Sequence, residues 1–285
     1  MTGERLGQDT QTKGKEGDQE HIRHSVRGRY AEAIQQRRGS CCEGASSAPS
    51  CCCGEVPAEV LEKGLRLGYS PEEVASAPEI AAMSFGCGNP EAIAALQPGE
   101  VVLDLGSGGG FDCFLAAKEV GESGRVIGVD MTPEMLSTAR ENARRLGSTN
   151  VEFRLGEIEH LPVADNSVDV IISNCVINLS PDKEAVFGDA FRVLKPGGRL
   201  AIADVVATAP FPEEARQDMA LWSACASGAA LIDDLQRMLR DAGFVDIRIQ
   251  PRDESREMIR EWVPGSRAEE YVVSATIEAI KPTQG

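Results

Sequence analysis

The chain has 285 residues and carries 29 Lys plus Arg against 45 Asp plus Glu, a formal net charge of −16. Apolar residues make up 42% of it, enough for a real core, and the length fits one large domain or a domain with an appendage. The acidic balance excludes nucleic acid as the main partner, because phosphate binding needs a basic footprint, and it excludes attachment to an anionic membrane surface.

The acidity is unevenly placed. Residues 1–40 hold eight Lys/Arg and six Asp/Glu, so this segment is +2 and residues 41–285 carry −18. No stretch reaches the ~18 apolar residues of a membrane span, and the opening residues lack the apolar segment of a signal peptide. A cytoplasmic location is the expectation. In a reducing compartment the nine Cys are not a disulfide framework; they are buried apolar residues, metal ligands or reactive thiols.

Residues 1–24 are polar and aperiodic and are expected to be disordered. Val26–Arg38 predicts a short helix. Residues 39–54 form a small-residue loop with five of the cysteines, Cys41, Cys42, Cys51, Cys52 and Cys53. Together with this loop, residues 1–70 make an N-terminal segment. Pro71–Ala77 predicts a helix opened by Ser70 as N-cap and Pro71 at the first helical position.

From Pro98 onward strands alternate with helices. Val101–Leu105, Arg125–Asp130, Val151–Leu155, Val168–Ser173 and Leu200–Val206 read as strands. Between them fall helices at Phe111–Val120, from Pro133 to Leu146 with Thr132 as cap and Gly147 as stop, and from Ser180–Pro181 to Leu194. Lys195-Pro196-Gly197-Gly198 stops the last of these. Pro212–Ala230 and Ile232–Ala242 predict two more helices. Val245–Gln250 and Tyr271–Ile280 predict two further strands, mutually antiparallel. The pattern implies an α/β, Rossmann-like fold: about seven strands, mostly parallel, with helices on both faces. Residues 71–210 form its ligand-binding part, and residues 211–285 a smaller substrate-binding region.

The turn Asp104-Leu105-Gly106-Ser107-Gly108-Gly109-Gly110 joins a strand to a helix. Glycines there permit a tight turn and close approach of a ligand. The dinucleotide fingerprint G-x-G-x-x-G fails, because Phe111 occupies its sixth position. The pattern present, G-x-G-x-G with an acid two residues before it, suits a ligand without pyrophosphate. Asp104 is placed to receive an amino group, Asp130 to accept two ribose hydroxyls, and Glu157 to accept an adenine amino proton. That set fits S-adenosylmethionine. Gly106, Ser107, Gly108 and Gly110 form the expected cradle, with Met131, Ile158 and Asn174 beside it.

Cys175 follows the fourth strand, at the carboxyl end of the sheet where ligands of such folds bind. Cys225 lies in the small-residue stretch Leu221–Ala229, and Cys87 lies between Gly86 and Gly88. Cys113, just inside the helix after the glycine loop, reads as a packing residue. Three soft thiolates near an activated methyl suit a thiophilic atom in trigonal geometry. Trivalent arsenic binds three sulfurs and keeps a lone pair, which attacks the methyl without a general base. His21, His24 and His160 read as surface residues without a role.

These residues resemble the arsenite S-adenosylmethionine methyltransferase family. The resemblance runs from about Val26 to Pro282 and rests on Phe85-Gly86-Cys87-Gly88, Asp104–Asp112, Ser173–Lys183, Leu221–Ala229 and Ser274-Ala275-Thr276. It implies that Cys87, Cys175 and Cys225 bind arsenic, presented as arsenite or its thiol adducts. It implies stepwise methylation to mono- and dimethylated products, with thioredoxin or glutathione restoring the enzyme. It also implies a further upstream Cys in a disulfide relay, for which the cysteines of residues 41–53 supply five candidates. A monomer is expected. Two rival readings stand beside it: a methyltransferase for a small organic acceptor, and a metalloid-sequestering protein without turnover.

Overall fold

The computed structural model describes residues 20–28, 31–32, 56–77, 86–212, 215, 218–262 and 264–283. Cys41, Cys42, Cys51, Cys52, Cys53 and Phe85 lie outside the described residues.

Seven strands form a single sheet in the order β3-β2-β1-β4-β5-β7-β6. They are β1 (Val101–Leu105), β2 (Arg125–Asp130), β3 (Val151–Leu155), β4 (Val168–Asn174), β5 (Leu194–Ala207), β6 (Val245–Arg252) and β7 (Val272–Ile280). Strands β1 to β5 pair in parallel, and β7 runs antiparallel to both β5 and β6. The central strands are apolar on both faces because helices cover both sides, as a parallel sheet requires. The edge strand β6 instead alternates exposed with half-buried residues. From β1 the chain moves out to β2 and β3, then returns to β4 on the other side. The order therefore reverses between β1 and β4, which opens a crevice beyond their carboxyl ends.

The described helices are α1 (Ala58–Leu67), α2 (Pro71–Ser76), α3 (Glu91–Ala94), α4 (Phe111–Val120), α5 (Pro133–Leu146), α6 (Lys183–Val193), α7 (Met219–Ser223), α8 (Ile232–Ala242) and α9 (Arg256–Trp262), besides helical residues 20–28. One apolar cluster packs α6 and α8 on β1, β4, β5 and β7 through Leu103, Ile171, Phe187, Leu200 and Leu239. Another packs α4 and α5 on the sheet through Val102, Phe114, Ala116, Leu136 and Val170. A third surrounds Cys87, Cys175 and Cys225.

Several expectations change. Residues 20–24 are helical rather than disordered: Arg23 reaches Glu159 at 3.4 Å and Glu157 at 3.7 Å, and Val26 is fully buried. Tertiary docking supplies the order that composition denies. Ser70 does cap α2, and with Glu73 it closes a capping box. Thr132 precedes α5 without a side-chain cap, its own N–H being given to Asp130 Oδ1 at 2.8 Å. Helix α6 starts at Lys183, capped by Asp182, whose carboxylate accepts from Ala185 N at 3.0 Å. Residues 195–198 lie inside β5 rather than before it. Of the long helix expected over Pro212–Ala230, the described residues show residue 215 helical and the five-residue α7, and no helix from Ala224 to Ala230. After it, Cys225 and the small residues beside it fold as turns; Ser227 and Gly228 favour such a path, while the alanines among them suit a helix as well. Among the described residues, no helix is long and apolar enough to cross a membrane.

Candidate active site

A cleft of about 1030 Å³ lies beyond the ends of β1, β2 and β4. Its walls include Asp104, Gly106, Ser107 and Gly108 from the first turn, Asp130 and Met131 from the second, Ile158, and Asn174 with Cys175. Two residues predicted for the cofactor stand outside it. Gly110 seats α4 on the sheet: its φ is +92°, and a Cβ there would come within 2.8 Å of Phe114 and Phe153. Glu157 faces the N-terminal helix, pairing with Arg23 and Arg27. Glu159, two residues on, is the acid in the cleft wall; it is buried and accepts from Ser180 Oγ at 2.6 Å. Arg23, unforeseen from sequence, lines the cleft as well.

The residues present fit S-adenosylmethionine. At Gly106 (φ +71°) a Cβ would strike Val176 at 2.4 Å, so only glycine makes this turn. At Gly108 (φ +50°) the nearest atom to a Cβ would be Met135 Sδ at 4.0 Å, so the backbone itself faces open space. Ser107 Oγ is buried without a hydrogen-bond partner. Asp130 is held by its own turns, accepting from Gly108 N at 3.0 Å and from Thr132 N.

The electrostatics point the same way. Burial, and then the neighbouring Asp112, push the Asp104 carboxyl well above the usual range. Burial also raises Asp130, and it lifts Asp112 to about 6. A ligand carrying positive charge relieves such crowded acids. Cys113 is fully buried, as expected of a packing residue, but it also donates from Sγ to Asp104 Oδ2 at 3.2 Å.

Asn174 ties this cleft to the cysteines. Its Oδ1 accepts from Cys87 N at 2.9 Å. Its Nδ2 lies 2.8 Å from Gly88 O, 2.9 Å from Tyr69 Oη and 3.2 Å from Asp112 Oδ2. A Cβ on Gly86 would fall within 2.6 Å of the Asn174 amide, which explains the glycine before Cys87.

The structure brings the three predicted cysteines together. The sulfurs of Cys87 and Cys175 and a carboxylate oxygen of Asp204 lie within 4.8 Å of one another. Cys225 donates from Sγ to Cys175 O at 2.9 Å. Both Cys175 (φ +58°) and Cys225 (φ +59°) adopt the left-handed conformation. Non-glycine residues held there cost of order 1–3 kcal/mol and concentrate at functional sites. The two segments also lock together. Trp222 Nε1 donates to Leu179 O at 3.2 Å, and Gly228 packs so closely that a Cβ would reach Asn178 O at 2.1 Å.

Burial pushes the Cys87 thiol up; hydrogen bonding with Cys225 and Cys87, and then burial, push Cys175 well up. Buried surroundings without a cationic neighbour favour the neutral form of both thiols. Asp204, which nothing in the sequence singled out, is buried and raised to about 6 by that burial. It accepts from Ile177 N at 2.9 Å, Asn178 Nδ2 at 2.9 Å and Val205 N at 2.7 Å, and so fixes the turn after Cys175. His21, His24 and His160 are exposed.

Sheet order, glycine turn and acid-lined cleft together define an S-adenosylmethionine-dependent methyltransferase. The family described as "Methyltransferase domain" matches residues 96–243. An arsenite methyltransferase of Halobacterium salinarum is 53% identical over 283 residues, covering 98% of this chain and 71% of the relative. The arsenite methyltransferase of Aquipseudomonas alcaligenes is 49% identical over 179 residues, covering 60% of this chain and 51% of the relative. A crystal structure of an arsenic(III) S-adenosylmethionine methyltransferase from Chlamydomonas reinhardtii superposes with a TM-score of 0.60 at 35% identity, covering 81% of this chain and 76% of that one. The chain belongs to the arsenite methyltransferase family.

Proposed function

We propose that the enzyme methylates trivalent arsenic held by Cys87, Cys175 and Cys225. The observation that carries this reading is the convergence of those three cysteines, two on strained backbone, beside a cleft suited to S-adenosylmethionine. The relatives named above as arsenite methyltransferases support it.

Neutral thiols suit arsenous acid. Each S–H gives its proton to a departing hydroxide, so one water leaves as each arsenic–sulfur bond forms. Thiolates are not needed beforehand, and no base has to be found among the exposed histidines. Three sulfur ligands leave arsenic its lone pair. S-adenosylmethionine supplies an electrophilic methyl when bound. Asp104, Gly106, Ser107, Gly108, Asp130, Met131, Ile158 and Asn174 would hold it, with Glu159 in place of Glu157 in the cleft wall. Asn174 fixes the distance between the two halves of the site. Proximity and orientation of this kind are worth about 7–11 kcal/mol.

In this reading the products are mono- and dimethylated arsenicals. Thioredoxin or glutathione restores the reduced state, and the enzyme works as a cytoplasmic monomer whose residues 211–285 complete the arsenic site. The thiols at positions 87, 113, 175 and 225 are free in the structure, in keeping with a reducing compartment. The test is an incubation of purified protein with labelled S-adenosylmethionine, a thiol, and either arsenite or a phenol or quinone acceptor. Label appears in an arsenical only. Transfer to the organic acceptor and not to arsenite overturns the reading.

A further inference from the structure

Three buried aspartates line the cofactor cleft, and two of them are well secured. Asp130 accepts from the backbone N–H groups of Gly108 and Thr132, and Asp112 accepts from Tyr69 Oη and Asn174 Nδ2. Asp104 is held differently. It is 3% exposed, and among the described residues the one donor to its carboxylate is the thiol of Cys113, with Sγ 3.2 Å from Oδ2. Cys113 is the third residue of α4, and Asp104 is the fourth of β1. The contact therefore ties the helix to the strand across the glycine turn.

A cysteine in the first turn of a helix is ordinarily activated, because the helix N-terminus favours its thiolate. Here the reverse holds. Burial, and then the Asp104 carboxylate, push the Cys113 thiol well up, which favours the neutral, donating form. The same hydrogen bond opposes the burial and the Asp112 charge that push Asp104 up. With Oδ2 taken by the thiol, Oδ1 is the oxygen left for a ligand in the cleft. A buried carboxylate without a donor takes up a proton or turns away, and in either case its attraction for a cation is lost.

We infer that Cys113 is a positioning residue for the amino-acid end of the cofactor: its S–H fixes Oδ2 of Asp104 and thereby aims Oδ1 at the α-ammonium group. The inference rests on the reading of Asp104 as the acid that receives that amino group. Cys113 is fully buried and outside the cleft wall, so it acts through Asp104 and touches no ligand itself. This differs from the packing role expected from sequence, in which the sulfur only fills space. Packing supports every part of the cofactor alike, whereas a hydrogen bond to Asp104 supports the ammonium alone.

The experiment measures, by calorimetry on the full chain, the binding of two ligands. S-adenosylhomocysteine carries the amino-acid end; methylthioadenosine keeps the adenine, ribose and sulfur but lacks it. Cys113→Ala raises the Kd of S-adenosylhomocysteine about tenfold, the scale of one hydrogen bond to a charged group, and leaves that of methylthioadenosine unchanged. Cys113→Val, which fills the space but has no donor, gives the same selective loss. Cys113→Ser, which keeps a donor, restores most of the affinity. In an Asp104→Asn background, Cys113→Ala costs nothing further, because the two residues act as a unit. Equal weakening of both ligands in the alanine and valine variants, or an unchanged Kd for S-adenosylhomocysteine in both, overturns the inference and leaves Cys113 a packing residue. Asp104→Asn binding both ligands as tightly as the unaltered chain overturns the reading of Asp104 instead.

Discussion

The side-chain oxygen of Asn174 accepts the backbone N–H of Cys87 at 2.9 Å, joining the end of β4 to the loop that carries one of the three cysteines. The same side chain lines the cofactor cleft and contacts Tyr69 and Asp112, themselves hydrogen-bonded at 2.5 Å. Asn174→Ala removes all of these at once. Leaving buried donors and acceptors unmade costs about 1–3 kcal/mol each. We expect a loss of about 2–4 kcal/mol in urea unfolding and a fall of about a hundredfold in single-turnover methylation, since a displacement near 1 Å at a reacting centre is enough for that. Unchanged turnover in this variant contradicts a positioning role.

The left-handed conformations of Cys175 and Cys225 set sulfur placement against backbone comfort. Glycine occupies that region freely and alanine does not. Cys175→Gly is therefore expected to be about 1 kcal/mol more stable than Cys175→Ala, although both lack the thiol. Equilibrium denaturation of the two variants decides it. An alanine variant as stable as the glycine one shows that the backbone there is unstrained.

Asp204 gives the site a pH-dependent stability. Burial raises its carboxyl from 3.8 to about 6, against the opposing pull of backbone donors and Lys183. The folded state thus favours the protonated form. This contribution is fully present below the unfolded value and is lost as pH rises through about 6. At 1.36 kcal/mol per pKa unit it is worth roughly 3 kcal/mol. Asp204→Asn lacks it. Relative to that variant, the unaltered protein should lose up to roughly 3 kcal/mol of unfolding free energy between pH 4 and pH 7. Parallel stability curves for the two proteins refute the assignment.

Much of this was legible in sequence, for identifiable reasons. The central strands between Val101 and Val206 announced themselves because a sheet covered on both faces leaves apolar runs, while the edge strand β3 showed itself by alternation. The glycine turn was legible because Gly106 and Gly108 hold conformations that other residues avoid. Cys87, Cys175 and Cys225 were found through the chemistry of their neighbours in sequence. What escaped notice depends on contacts distant along the chain. Arg23 reaches the cleft only because its helix docks on Glu157 and Glu159, and that docking draws Glu157 into ion pairs outside the cleft wall. Asp204 looked like one more residue of a buried strand; its role appears only when the turn after Cys175 folds onto it. The turn holding Cys225 was read as helix because small residues suit both, and the docking of Gly228 against Asn178 decides between them.

The central claim is that these cysteines, acting together, hold the arsenic that is methylated. Product speciation after mixing arsenite, S-adenosylmethionine and a thiol with the unaltered protein or with Cys175→Ser tests it most directly, with cofactor binding measured alongside. The account predicts methylated arsenicals from the unaltered protein and none from Cys175→Ser, while both bind S-adenosylmethionine equally. Methylation by Cys175→Ser at the unaltered rate would contradict it.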